Sequence, residues 1–138
     1  MTGFLAIGTR MLRPLAPPAI GAPFARYSHG IEVPAGHRLA FASGQLGMDR
    51  GGMVPGDSTG QAEICFANIA AILAEAGMGL ADIVRVNAYV SGREHMAGYM
   101  QVRDRQFPGT PPASTLMIVQ GFTQPEFVVE VEVVAAKA

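Results

Sequence analysis

The stretch STGQAEICFANIAAILAEAG, residues 58–77, decides the fold class. Ser58 followed three residues later by Gln61 predicts a capping box, and Gly77 offers the left-handed stop that ends a helix. Between them Ile64, Ala67, Ala71 and Ala74 share one stripe, widened by Phe66, Ile69 and Leu73. A face that broad predicts an amphipathic helix lying on a sheet. Cys65 sits in the middle of it and is expected to face packing as a structural thiol.

Outward from this helix the pattern changes period. Residues 84–90 alternate, with Val84, Val86, Ala88 and Val90 set against Arg85, Asn87 and Tyr89, which predicts a strand with one wetter face. Met96, Tyr99, Met100 and Phe107 recur at helical spacing over 94–107, with Arg103 and Arg105 expected as solvated charges. Pro108-Gly109-Thr110-Pro111-Pro112 forbids continuation. Strands are predicted over 113–119 and 127–136. Upstream, 26–33 reads as extended and 39–43 as a strand. A turn at Asp49-Arg50-Gly51-Gly52 leads to a short strand near Met53-Val54. The order is β-β-β-α-β-α-β-β, an α+β fold with a mixed sheet and two helices on one face. The bare face must meet something, and a symmetric oligomer is the economical answer. Residues 1–23, rich in Pro and Ala, are expected as a tail before a domain over 24–138, with Met11 as an alternative start.

Composition narrows the function. Charged residues make up 15% of 138, fewer than an ordinary surface carries, which fits a surface partly covered by copies of itself. The net charge of −1 gives no general attraction for nucleic acid. The eleven-residue apolar run beginning at Ile64 is too short for a membrane span. A lone cysteine points to a reducing, cytoplasmic setting. His29, His37 and His95 are too widely spaced to predict a metal site.

The chemistry-bearing residues are few. Glu130 and Glu132 share one face of the last strand, about 7 Å apart along it. They are either solvated charges or a site that needs a pocket over that face. Ser43-Gly44-Gln45 closes a strand with a hydroxyl and a glycine that lets a ligand approach backbone. Tyr27-Ser28-His29 forms a polar strand edge.

In collinear order, RYSHGIEV (26–33), FASGQLGMDRGGMVPGD (41–57), QAEICFANIAAILAEAG (61–77), LADIVRVNAYV (80–90) and VEVEVVA (129–135) resemble the RidA (YjgF/L-PSP) family. That resemblance implies a chorismate-mutase-like fold and a homotrimer with sheets facing inward and three inter-subunit clefts. Family members hydrolyse reactive enamines and imines of amino acids to keto acids and ammonia, which implies a small-molecule ligand and no cofactor. Carried over residue by residue, Glu130 is the catalytic glutamate that positions water, and Tyr27, Ser43 and Gly44 line the cleft. Ala113 and Thr115 fall in the substrate-binding segment. Ala113 stands where the family has a carboxylate-clamping arginine, or Ser114 does if the alignment shifts by one. The expected function is binding, and hydrolysis, of a small imine- or carbonyl-type metabolite. The alternatives are a non-catalytic ligand-binding or regulatory trimer and an endoribonuclease-type translation inhibitor.

Overall fold

The structure, a computed structural model, describes residues 11–138. The principal sheet has four strands: β3 (Arg38–Leu46), β4 (Ile83–Val90), β5 (Ala113–Ile118) and β6 (Val129–Lys137). They lie in the order β3-β6-β4-β5, with β6 antiparallel to both neighbours and β4 parallel to β5. Helices α1 (Ser58–Ala74) and α2 (Met96–Gln106) cover one face. The fold class read from the sequence is therefore the observed one. Among the described residues no helix is long and apolar enough to cross a membrane.

Strand β6 shows why the layers form. Val129, Val131, Val133 and Ala135 are at most 2% exposed and pack beneath the helices, while Glu130 and Glu132 point to the other face. Strand β4 repeats the rule, with Val86, Ala88 and Val90 buried and Arg85, Asn87 and Tyr89 half-buried opposite them. Phe66 stacks on Tyr99 and meets Phe107 edge-on, joining α1 to α2.

Three local expectations are corrected. Helix α1 is capped by Asp57, whose Oδ1 accepts from the Gly60 amide at 2.9 Å; Ser58 is already the first helical residue. Its buried stripe is Ala62, Cys65, Phe66, Ile69 and Leu73, whereas Ala67, Ala71 and Ala74 are exposed. The helix is apolar nearly all round, so burial goes to the face carrying the larger side chains, which removes more apolar area from water. The strand near Met53 is absent: the Asp49 carboxylate and carbonyl accept from the Met53 and Gly52 amides, closing the loop on itself. A different first strand takes its place in the count. β1 (Arg13–Leu15) pairs antiparallel with β2 (Gly30–Glu32), inside the stretch expected as a tail. The stop at Gly77 is as expected, with φ of 70° and the Met78 amide donating back to Leu73 O.

Gln61, expected to cap, is instead fully buried. Its Nε2 donates to Pro55 O and Glu126 O, both at 2.8 Å, and its Oε1 accepts from the Val128 amide at 2.9 Å. One side chain thus ties the loop before α1 to the loop before β6. Gln61→Ala would remove three part-buried hydrogen bonds to backbone and is expected to cost about 1–3 kcal/mol. Urea denaturation at equilibrium checks this through the transition midpoint.

Candidate functional site

The residues singled out from the sequence fall into two groups. The first lies where β3 meets β6. The register slips by one residue between Ala42 and Gln45, a bulge that places Ser43 and Gly44 against β6. Gly44 is packed so closely on Glu130 that a methyl group there would stand 2.5 Å from Oε2. The close approach of the carboxylate, not the backbone angle, favours glycine here: a side chain would push the Glu130 carboxylate aside. Ser43 is exposed and lines a shallow cavity of about 390 Å³ with Phe41, Asn87 and Glu132.

Glu130 is half-buried, and its carboxyl is raised above the ordinary glutamate range, first by desolvation and then by the neighbouring Glu132 charge. The two glutamates have different partners. The Tyr89 hydroxyl donates to Glu132 Oε1 at 2.7 Å, and this bond is the first cause of that tyrosine's raised pKa. Glu130 makes no such bond. Cys65 lies behind it with Sγ donating to Gln45 O at 3.1 Å. Burial, then the charge of Glu130, pushes the thiol up to about 12, so it stays protonated and structural as the sequence implied.

The second group lies at the edge strand β5. Tyr27 and Thr115 share a cavity of about 280 Å³ with Phe24, Met100, Arg103 and Ser114. The segment carrying Tyr27 is held along β5 by backbone: the Ser28 amide donates to Pro112 O at 3.1 Å and Ser28 bridges to Ala113 in parallel. Ala113 is buried at the start of β5 and does not line the cavity, whereas Ser114, Thr115 and Leu116 do. Thr115 Oγ1 also accepts from Arg85 Nη2 at 2.6 Å, and Arg85 Nε donates to Asn87 at 2.9 Å.

Within one protomer the two groups do not meet. Strand β4 separates β5 from β6, so Thr115 stands two strand spacings, about 10 Å, to one side of Glu130, with Gly44 one strand farther on β3 and Tyr27 beyond the other edge of β5.

The structure adds a residue that sequence reasoning misplaced. Arg103 is not a solvated charge: it is 4% exposed and lines the Tyr27 cavity. The signal was present, because Arg103 continues the helical spacing of Met96, Met100 and Phe107. Arg105 is exposed as expected and lies 3.7 Å from Glu63. Arg26 is spent on structure, donating to Phe107 O and Gly109 O at the end of α2.

Comparison with known proteins follows this geometry. Residues 18–137 match the family model described as Endoribonuclease L-PSP. A RutC family protein of Pyrococcus abyssi is 32% identical over 117 residues, covering 83% of this chain and 89% of the relative. A 2-iminobutanoate/2-iminopropanoate deaminase of Dermatophagoides farinae is 29% identical over 102 residues, covering 72% of this chain and 74% of the relative. A solved structure of a conserved Rid family protein from Yersinia pestis superposes with a TM-score of 0.77 at 25% identity, covering 91% of this chain and 98% of that one. By the family model over residues 18–137 and these relatives, the chain belongs to the RidA/YjgF/L-PSP family.

Proposed function

We propose that three copies of this chain assemble through their bare sheet faces, and that each cleft between neighbours hydrolyses a small imine or enamine to a carbonyl compound and ammonia. The observation that carries this reading is Glu130, a half-buried carboxylate without a tyrosine partner, pressed against the backbone of Gly44. In the proposed step Glu130 accepts a proton from a water as its oxygen attacks the imine carbon. That proton passes to nitrogen to give the carbinolamine; Glu130 then takes the carbinolamine hydroxyl proton and returns it to nitrogen as the C–N bond breaks, so that ammonia leaves as the carbonyl forms. A carboxyl held above the ordinary range is a better base for this than a fully solvated one. The resemblance to a named imine deaminase supports the reaction class.

The trimer is supported by two features. Leu39, Phe41 and Met117 are 54%, 73% and 53% exposed on strands β3 and β5, a cost that association would remove. The separation of the Tyr27 group from the Glu130 group also means that a single protomer offers each half without the other. A neighbour supplying the missing half completes the cleft.

Glu130→Gln lowers kcat/KM for 2-iminopropanoate by about 10²–10⁴-fold, measured by semicarbazide competition. Wild-type rate rises with pH as Glu130 ionises, so its acid limb lies above the ordinary glutamate range. Inactive wild type with a folded trimer would favour the non-catalytic ligand-binding reading. For stability the sign is opposite: a raised folded-state pKa means stability is lost as pH climbs through it. Glu130→Gln should therefore melt higher than wild type at neutral pH, with the gap closing below the ordinary glutamate pKa, as thermal scans across pH will test. Sedimentation equilibrium should give three times the 14.5 kDa chain mass, and Phe41→Asp should shift it to monomer.

A further inference from the structure

We propose that Glu132 is a positioning residue for the hydrolytic step: it engages the Tyr89 hydroxyl and so leaves the carboxylate of Glu130 free to act on water. The inference rests on the reading above and adds a residue to the same site. The sheet register does not impose this partner. Tyr89 on β4 lies directly across from Glu130 on β6, and Asn87 lies across from Glu132, all on the face away from the helices. Directly opposed residues have Cβ atoms about 4.5–5.5 Å apart, whereas diagonal neighbours stand about 7–8 Å apart. The Tyr89 hydroxyl nevertheless passes over the carboxylate it faces and donates on the diagonal to Glu132 Oε1 at 2.7 Å. Among the described residues no side chain donates a hydrogen bond to Glu130.

The choice of partner matters for the chemistry. A hydroxyl donated to a carboxylate stabilises its ionised form and takes up a lone pair on one oxygen. On Glu130 both effects would oppose the removal of a proton from water. Glu132 takes the hydroxyl instead, and it stands two residues along the same face as a second negative charge. That charge is the second cause, after desolvation, of the raised Glu130 carboxyl.

No other charge competes with it among the described residues. Strand β3 brings Leu46 across from Glu130 and the uncharged Ser43, Gly44 and Gln45 beside it. Strand β4 brings Tyr89, and its one cation, Arg85, is turned to Asn87 Oδ1 and Thr115 Oγ1. From α1 behind the sheet comes Cys65, whose thiol burial keeps protonated. Glu132 is thus the group through which the surroundings of Glu130 are set.

The test compares full-length wild type, Glu132→Leu and the double variant Glu132→Leu with Tyr89→Phe. Thermal melts and sedimentation confirm folding and assembly. Glu132→Leu leaves the hydroxyl no acceptor on this face but the opposed Glu130. It should lower kcat for 2-iminopropanoate by about three- to tenfold with little change in KM, and move the acid limb of the pH–rate profile down. Adding Tyr89→Phe should recover kcat by about twofold or more and return the limb part of the way, because the hydroxyl is gone while the Glu132 charge is still missing. If the leucine variant does not fold or assemble, Glu132→Ala with and without Tyr89→Phe carries the same comparison. A Glu132→Leu profile matching wild type would overturn the inference, as would a loss that Tyr89→Phe does not relieve. Titration of the Glu130 carboxyl by carbon NMR, its signal identified by its absence from Glu130→Gln, separates this inference from the hydrolase reading. A Glu130 carboxyl that titrates lower in Glu132→Leu and partly recovers in the double variant, in protein without turnover, supports the choice of partner and removes the hydrolase. Turnover with an unmoved Glu130 titration keeps the hydrolase and removes the role of Glu132.

Discussion

The structure depends on the two-residue alternation of β6 in its place between β3 and β4. Val129, Val131, Val133 and Ala135 face the helices and are at most 2% exposed, so the strand cannot slip by one residue without exposing its core-facing set. The same register fixes Glu130 beside Leu46 on β3 and Tyr89 on β4, and Glu132 beside Asn87. The core and the carboxylates are therefore set by one pattern: a change that moved the glutamates would also unpack the helices. Gln61 reinforces the register from outside the sheet, by holding the Val128 amide that leads into the strand.

The bulge in β3 is the second constraint, and it acts on chemistry more than on folding. The extra residue delivers the backbone of Gly44 to the Glu130 carboxylate, which a side chain at that position would displace. Desolvation there holds the proton on Glu130 more tightly, while the Tyr89 bond gives Glu132 a different environment only two residues away. Two chemically identical side chains on one face thus present different groups to a ligand. Across β4, the edge strand and α2 build a separate cavity around a buried arginine. We propose that these halves belong to one site completed by a neighbouring copy.

Much of this was legible in the sequence, for physical reasons. The Val/Glu alternation of 129–135 gave the face of each carboxylate because a strand has only two faces. Gly77 marked the end of α1 because few other residues adopt its positive φ. Helix α1 was harder. With apolar residues all round, small alanines and large aliphatics compete for the core, and periodicity alone does not rank them. Asp57 outranked Ser58 as cap through where the chain enters the helix, a matter of backbone angle. The pairing of Arg13–Leu15 with Gly30–Glu32 joins segments far apart in sequence, with no alternation long enough to announce it. Arg103 was misread because charge suggested solvent, although its position on the Met96–Met100–Phe107 stripe placed it toward the core. An arginine on an apolar stripe of a helix is better regarded as a candidate binding group until its partners are known.

The claim that the site is shared between protomers is tested most directly by mixing subunits. Tyr27→Ala and Glu130→Gln chains, each expected to be impaired alone, are unfolded together, refolded at equal ratio and assayed for 2-iminopropanoate hydrolysis. If each cleft takes Tyr27 from one copy and Glu130 from its neighbour, random assembly restores both groups in about a quarter of clefts. Activity should then rise toward a quarter of wild type. Verified mixed trimers with no gain over either parent would contradict a shared cleft.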